Sequence, residues 1–280
     1  MPSFQTTSQH YLILRNRDAG FFALFAAAIG LLDYYETHPL AGVAIDFKNE
    51  GHYFDETRGL NWWAYYFEPL YLGSPTGAVI MDVPFGMNVV FGMKAVQLHP
   101  TNFITFERSN QLIQKYIKIK PEVSSFVDNV VSTKFAGQYV IGIHYRGTDK
   151  VQQEAPVVPY TVVVEKLEEL LKQAPSGAKI FIATDEEHFL SFMVSKYGQK
   201  VMYQSAMRSQ NGKPVHLQSN KLKIKGFAWK KGFDALVDCL LLSRCNIILK
   251  TASNLSTCSR MFNPNLQVVS LSYEGKCSSE

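Results

Sequence analysis

The sequence predicts an α/β protein made of two Rossmann-like lobes that face a central cleft. Apolar strands alternate with helical segments in the first third of the chain, and a second, more regular alternation follows a helical stretch. A chain of 280 residues is long enough for two such lobes. We expect an N-terminal lobe at residues 1–115 and a C-terminal lobe with a C-terminal tail at residues 116–280.

The composition is that of an ordinary soluble globular protein, with 46% apolar and 19% charged residues. A net charge of +4 suits an anionic small ligand as well as nucleic acid, but no long run of Lys or Arg is present. We therefore expect no nucleic-acid partner. The four cysteines lack the spacing of a zinc site or a disulfide framework, which favours a reducing compartment.

The apolar run Gly20–Leu32 is the candidate membrane segment of this sequence. It is too short to span a bilayer as a helix, and no small-residue cleavage site follows it. A buried helix of an α/β lobe is the favoured interpretation. The sequence thus predicts a soluble, cytoplasmic protein with no signal peptide and no stable membrane insertion.

The first lobe is predicted to contain the strands "HYLILR", "AGVAIDF" and "GAVIMDV" and a helix over Gly20–Tyr35. An aromatic segment with Trp62, Trp63 and Tyr65 precedes the last of these strands. It is either a hydrophobic cluster under a loop or an aromatic wall for a sugar or base.

The second lobe follows a helical stretch, at about residues 110–131, that Pro121 interrupts. Its predicted strands are "YVIGIHY", "KIFIATD", "KVMYQS" and "NIILKT", and its helices are "PYTVVVEKLEELLKQA", "EHFLSFMVSKYG", Gly232–Arg244 and "SNLSTCSRMF". This alternation predicts a doubly wound parallel sheet, in which ligands bind beyond the carboxyl ends of the strands.

Ionisable and polar side chains follow three of these strands. They are His144, Arg146, Asp149, Lys150 and Glu154 after the first strand, Asp185 and Glu186 after the second, and Ser253, Asn254 and Ser256 after the fourth. An isolated buried charge is very unfavourable, so these charges must be paired or serve a ligand.

Arg146 and the start of the last helix together predict a diphosphate site. Ser253 or Asn254 can cap this helix, whose free N–H groups and positive dipole end attract phosphate. The guanidinium of Arg146 can hold two phosphate oxygens. An ordinary capped helix is the alternative. No GxGxxG follows a strand and no GxxxxGK[ST] is present, so a dinucleotide site of the NAD type and a P-loop are not supported.

Three carboxylates each have a structural and a functional interpretation. Asp185 can cap the next helix or accept hydrogen bonds from a ribose or base edge. Asp238, if it faces the sheet, needs a buried cation such as Arg146. Glu154 is a solvated loop residue or a general base in the cleft. We expect no metal site, although Asp185 and Glu186 keep a metal-dependent alternative open.

The motifs around these residues resemble those of a known family. "IGIHYRGTDKVQQEA" is similar to the H-x-R-R-T-D-K-x-x-x-E-A segment of the α1,6-fucosyltransferases and their rhizobial nodulation relatives. "FIATDE" resembles the family's strand ending in A-T-D-D, and "FDALVDCLLLSRCNIILKTASNLS" resembles its helix with a buried Asp, its next strand and its phosphate loop. The resemblance covers Gln138–Phe262, with the same order and spacing of motifs.

The resemblance implies a GT-B fold and an inverting, metal-independent glycosyltransferase without a cofactor. Such an enzyme moves a sugar, fucose by the family's default, from a nucleotide diphosphate donor to a glycan hydroxyl. It implies that the C-terminal lobe binds the donor and the N-terminal lobe the acceptor, which we expect along Trp62, Trp63 and Tyr65.

The resemblance also implies residue roles. Arg146 would hold the diphosphate, with Asp149 and Lys150 beside it and Glu154 or a neighbour as the base. The remaining donor-site residues would be His144, Asp185 at the nucleoside, Asp238 orienting the arginine, and Ser253, Asn254 and Ser256 at the phosphate or sugar.

One position departs from the family pattern. Gly147 stands where the family has a second arginine, which removes a charged group from the donor pocket. A UDP sugar such as UDP-xylose, used by a xylosyltransferase of the same fold, is therefore an alternative donor. A non-catalytic sugar-nucleotide binding protein is an alternative of another class.

Overall fold

The computed structural model describes residues 8–48, 50–83, 104–147, 158–209 and 226–271. The chain divides into two compact units. One consists of Met1–Ser124 with Ile224–Phe233, and the other of Ser125–Lys223 with Asp234–Glu280. The boundary that we expect at 115/116 lies close to the first of these divisions. The return of Ile224–Phe233 to the first unit has no counterpart in the sequence prediction, because this segment runs into a helix-forming stretch without a linker signal.

The first unit is built on a four-stranded sheet with the order β3-β2-β1-β4. Its strands are β1 (His10–Arg15), β2 (Gly42–Asp46), β3 (Tyr71–Gly73) and β4 (Val79–Asp82). β1 pairs in parallel with β2 and β4, whereas β3 pairs antiparallel to β2 at one edge. The three parallel strands match the prediction. β3 was not predicted, because three largely exposed residues carry no apolar alternation.

Three helices accompany this sheet in the sequence, namely α1 (Phe21–Thr37), α2 (Phe106–Tyr116) and α3 (Pro121–Val130). The predicted interruption at Pro121 is present, and this proline is the first residue of α3, where its missing N–H has no intrahelical acceptor in any case. α1 is apolar around its circumference and buried along most of its length. No helix in the described ranges is both long enough and apolar enough to cross a membrane.

The aromatic segment packs inside the first unit. Trp62 and Trp63 are each 1% exposed and Tyr65 is 5% exposed. The ring of Trp63 stacks on Phe25 of α1 with centroids 6.2 Å apart, and its Nε1 donates to the Glu68 carbonyl at 3.2 Å. Stacking on a sugar needs an open ring face, and these three side chains have none. The hydrophobic-cluster interpretation therefore describes them, and the expected acceptor wall is corrected accordingly, because the apolar first three turns of α1 need an apolar layer against them.

Trp63→Ala is expected to lower the free energy of unfolding by about 3–5 kcal/mol, because it removes a large buried ring and leaves a cavity. Urea denaturation followed by circular dichroism measures this change. Leu60→Ala is the matched control, since Leu60 lies in the same segment but is 62% exposed. A Trp63→Ala protein with wild-type stability and a raised KM for a glycan would instead restore the acceptor-wall interpretation.

The second unit is built on a five-stranded sheet with the order β7-β6-β5-β8-β9. The strands are β5 (Val140–Tyr145), β6 (Lys179–Thr184), β7 (Val201–Met202), β8 (Ile247–Lys250) and β9 (Gln267–Ser270). The helices are α4 (Tyr160–Gln173), α5 (Glu187–Tyr197), α6 (Phe227–Leu242) and α7 (Asn254–Phe262), and α6 belongs to this unit from Asp234 onward. Every strand pair is parallel. The prediction of a doubly wound parallel sheet is confirmed. β7 is shorter than predicted, and β9 was not predicted.

The strand order creates a switch point beside β5, whose six residues are all buried. From β5 the chain winds outward through β6 and β7, and then crosses to the other side of β5 to form β8 and β9. Helices that leave neighbouring strands in opposite directions open a crevice at the carboxyl ends of those strands. In this unit the crevice lies where β5 and β8 end.

Candidate active site

Two hydrogen bonds with backbone N–H donors join the ends of β5 and β8 at the switch point. The N–H of Arg146, directly after β5, donates to Thr251 Oγ1 at 3.0 Å. The N–H of Thr251, directly after β8, donates to the His144 carbonyl at 3.0 Å. The predicted residue Arg146 is half-buried at this edge. Thr251 holds the two strand ends together, a role that its place in the "TASNLS" run did not reveal.

The start of α7 lies next to this tie in the sequence. Ser253 is the N-cap, and its side chain accepts a hydrogen bond from the N–H of Leu255 at 3.3 Å. Asn254 is the first helical residue, and the first turn contains no acidic side chain. Negatively charged groups are the usual complement of a helix N-terminus. The capped start of α7 therefore suits an anionic ligand.

Ser256 has a different environment from the one expected for a ligand contact. Its side chain is fully buried, and its hydroxyl donates to the Ser253 carbonyl at 3.1 Å. The hydroxyl thus supports the first turn of α7 from within.

The end of β6 supplies a carboxylate that reaches the end of β5. Asp185 Oδ1 accepts a hydrogen bond from the N–H of Gly147 at 3.2 Å. Asp185 does not occupy the capping position, because α5 has Glu186 as its N-cap residue. The capping interpretation of Asp185 is therefore corrected.

The carboxylate of Glu186 lies beside the glycine at position 147. The hydroxyl of Tyr160 donates to Glu186 Oε1 at 2.5 Å, and a Cβ at position 147 would overlap Glu186 Oε2. The same Cβ would lie 2.9 Å from the ring of Tyr145. Any larger side chain at this position would have to displace the Glu186 carboxylate.

Burial and these carboxylates keep the two neighbouring tyrosines neutral. Burial, with the nearby Glu186 and Asp185, raises the pKa of Tyr145 to about 12. Burial raises the pKa of Tyr160 above its usual value, and the hydrogen bond to Glu186 raises it further. Both hydroxyls remain hydrogen-bond donors at neutral pH, and that of Tyr145 donates to the Val158 carbonyl at 2.9 Å.

The predicted residues Asp238 and His144 are both buried. Asp238 lies on α6, where its Oδ1 accepts a hydrogen bond from the side-chain amide of Gln204 at 2.6 Å. The same amide donates to the Asp234 carbonyl at 2.9 Å. The sequence did not identify Gln204 as a partner of Asp238, because this residue follows a strand of only two residues and belongs to no recognisable motif. The orientation of Arg146 by Asp238 stays a prediction.

Three predicted residues, Asp149, Lys150 and Glu154, lie outside the described residues. Across the described ranges, no group of three or more His, Cys, Asp or Glu side chains is arranged to hold a metal ion.

Several solved structures share the architecture of this chain, and fucosyltransferases are among them. The chain matches the fucosyltransferase NodZ from Bradyrhizobium with a TM-score of 0.62 and 16% identity, over 94% of this chain and 95% of that one. NodZ α-1,6-fucosyltransferase soaked with GDP-fucose matches with a TM-score of 0.60 and 17% identity, over 91% and 93%. The apo form of POFUT1 matches with a TM-score of 0.51 and 11% identity, over 96% and 99%.

The chain thus has the GT-B architecture of these proteins, as the sequence motifs implied. The family model of nodulation protein Z (NodZ) matches residues 105–276, more than half of the chain. The chain belongs to the NodZ family, which confirms the resemblance. No curated protein sequence matches the chain.

Thr251→Val is expected to lower the free energy of unfolding by about 1–3 kcal/mol, because it leaves the N–H of Arg146 without its hydroxyl acceptor. Thr251→Ser keeps this hydroxyl and should stay closer to the wild type. Urea denaturation of the three proteins makes the comparison. Equal stabilities of Thr251→Val and Thr251→Ser would show that the tie between the strand ends contributes little.

Proposed function

We propose that this protein transfers fucose from GDP-fucose to a hydroxyl of a glycan, with inversion at the anomeric carbon and without a metal ion. The observation that carries the proposal is that Arg146 and the Ser253-capped start of α7 follow the neighbouring ends of β5 and β8, which the hydrogen bond from the Arg146 N–H to Thr251 joins. A guanidinium and a helix N-terminus are both suited to a diphosphate.

The mechanism is a direct displacement. A carboxylate, Glu154 or its neighbour Asp149, takes the proton of an acceptor hydroxyl. The resulting oxygen attacks the anomeric carbon from the face opposite the diphosphate, and the bond from that carbon to the diphosphate oxygen breaks. The departing diphosphate gains negative charge, which Arg146, Lys150 and the start of α7 stabilise. Fixed charges aimed at the leaving group are an effective source of catalysis.

GDP-fucose is the preferred donor in this proposal. NodZ α-1,6-fucosyltransferase has been soaked with GDP-fucose and co-crystallised with GDP, and POFUT1 has been crystallised with GDP-fucose. These ligands favour a guanosine diphosphate donor over UDP-xylose.

The other predicted residues have supporting roles in the proposal. Asp185 contacts the nucleoside, Asp238 orients Arg146, and Asn254 contacts phosphate or sugar. His144 helps to form the floor of the donor site. The first unit accepts the glycan.

We also place the activity in the cytoplasm. The cysteines that the structure describes, Cys239, Cys245 and Cys258, are buried and form no disulfide bond with one another, which is compatible with a reducing compartment.

Arg146→Ala is expected to lower kcat/KM for GDP-fucose more than a hundredfold, because it removes at least about 3 kcal/mol of transition-state stabilisation. The kcat/KM of Arg146→Lys should lie between those of the wild type and Arg146→Ala, because an ammonium keeps the positive charge but lacks the planar guanidinium that binds two phosphate oxygens. Arg244→Ala is the matched control, since Arg244 is an exposed arginine of the same unit. Near wild-type turnover by Arg146→Ala would refute the assignment.

A donor panel in the presence of EDTA tests the remaining parts of the proposal. We expect turnover of GDP-fucose, no turnover of UDP-xylose, and no loss of rate on chelation. Preference for UDP-xylose would overturn the donor assignment. Activity that EDTA abolishes and Mg²⁺ restores would favour the metal-dependent alternative with Asp185 and Glu186. Tight GDP binding without turnover of any donor would favour a non-catalytic binding protein.

A further inference from the structure

A pocket lies between α4 and α5 in the second unit, and neither the sequence motifs nor the mechanism assigns it a role. Each helix contributes three lining residues at positions i, i+3 and i+4, which are neighbours on a helix surface. They are Thr161, Val164 and Glu165 of α4 and Phe192, Ser195 and Lys196 of α5. The pocket is open to solvent and has a volume of about 380 Å³. This volume is within the range of about 300–1,000 Å³ that is usual for small-molecule sites.

The ring of Phe192 gives this pocket an apolar surface. Phe192 is 37% exposed, whereas Phe189 and Met193 of the same helix are fully buried in the core of the second unit. The ring packs against that of Tyr160, with centroids 5.3 Å apart, and the Tyr160 hydroxyl is hydrogen-bonded to Glu186. The Phe192 ring is therefore supported by packing, while part of it remains open to the pocket.

Polar groups from both helices accompany this ring. Glu165 brings a carboxylate, Lys196 an ammonium, and Thr161 and Ser195 bring hydroxyls. None of these four side chains forms a hydrogen bond or an ion pair with another residue that the structure describes, although the Lys196 ammonium lies 5.6 Å from the Tyr197 ring. A single exposed apolar side chain is common on protein surfaces. An aromatic ring that shares a pocket with these donors and acceptors is a more specific feature.

This combination matches the chemistry of a sugar ring. One face of a pyranose carries C–H groups, whose partial positive charge suits the negative face of an aromatic ring. The rim of the pyranose carries hydroxyls, which can donate to a carboxylate and accept from an ammonium. One carboxylate and one ammonium also balance each other in charge. The pocket is therefore complementary to an uncharged polar ligand rather than to a phosphate.

We propose that the α4–α5 pocket binds an uncharged sugar unit, which stacks on Phe192 and hydrogen-bonds to Glu165 and Lys196. The choice of a sugar rests on the proposed function, in which the acceptor is a glycan. Arg146 and Ser253 are not among the lining residues, so sugar binding here is a separate event from donor binding at the strand ends. A glycan held by one of its sugars stays at a high local concentration around the enzyme.

Saturation-transfer NMR tests the proposal with the methyl glycosides of glucose, galactose, mannose, fucose and N-acetylglucosamine. We expect at least one of them to bind the wild type, and Phe192→Ala to weaken that binding about tenfold, because the stacking surface is lost. Glu165→Gln should weaken it about threefold or more, since a neutral amide replaces a charged acceptor. Saturating GDP should leave the binding of the glycoside unchanged.

Two variants outside the pocket are the matched controls. Phe126→Ala removes a phenylalanine of the same unit that is 40% exposed, and Glu169→Gln removes a carboxylate one turn further along α4. Both should bind the glycoside as the wild type does. Equal affinities of Phe192→Ala and the wild type, or no binding of any of the five glycosides, would overturn the proposal. Binding of indole, a probe for an aromatic side chain of a partner protein, in place of the sugars would also overturn it.

Two further measurements use the wild type alone. In N–H correlation spectra of the isotope-labelled protein, the bound glycoside should shift the signals of Thr161 and Ser195 and leave that of Phe126 unchanged. Shifts confined to residues outside the pocket would contradict the proposal. Turnover of GDP-fucose by a protein whose pocket binds no sugar would leave the proposed function standing. Sugar binding at the pocket of a protein that turns over no nucleotide sugar would support the pocket and overturn the proposed function.

Discussion

The second unit depends on the tie between the ends of β5 and β8. The hydroxyl and N–H of Thr251 together hold the N–H of Arg146 and the carbonyl of His144. The two strands are parallel neighbours that pair up to His144 and Lys250, and the hydrogen bonds of Thr251 extend this pairing beyond their carboxyl ends. The tie fixes the base of the Arg146 side chain relative to the start of α7. A site that acts through fixed charges requires this kind of preorganisation, because charges that must first be aligned lose much of their effect.

Charge is distributed unevenly around this tie. The β8 side carries Lys250 and the capped end of α7, whereas the β6 side carries Asp185 and Glu186. The glycine at position 147 belongs to the acidic side, where the Glu186 carboxylate, held by Tyr160, occupies the space beyond its Cα. A carboxylate held by a tyrosine hydroxyl, and not a second cation, therefore lies beside this position.

In the first unit, packing against the apolar helix α1 explains why the aromatic segment is buried. α1 exposes almost no side chain, and the aromatic segment provides much of the surface that covers it. The ring nitrogens and hydroxyls of that segment find partners inside the unit, such as the Asn16 side chain for Trp62 Nε1 at 3.0 Å. Large aromatic side chains serve in this way when their polar atoms are satisfied locally. Their abundance in a sequence therefore does not by itself identify a binding surface.

The sequence by itself determined the features that depend on neighbouring residues. Apolar alternation located β1, β2, β5, β6 and β8, the 3.6-residue period located the helices, and a serine before an apolar helical stretch located the cap of α7. The order of strand-end motifs was enough to indicate the family, which the match to residues 105–276 confirms. Only the tertiary structure decided the contacts between residues far apart in the chain: Glu186 with Tyr160, Gln204 with Asp238, and the burial of Trp62 and Trp63. These contacts depend on which elements the sheet order brings together, and local patterns do not encode that order. The short strands β3, β7 and β9 were missed or shortened for the same reason, since each is defined by the partner it pairs with rather than by a repeat of its own.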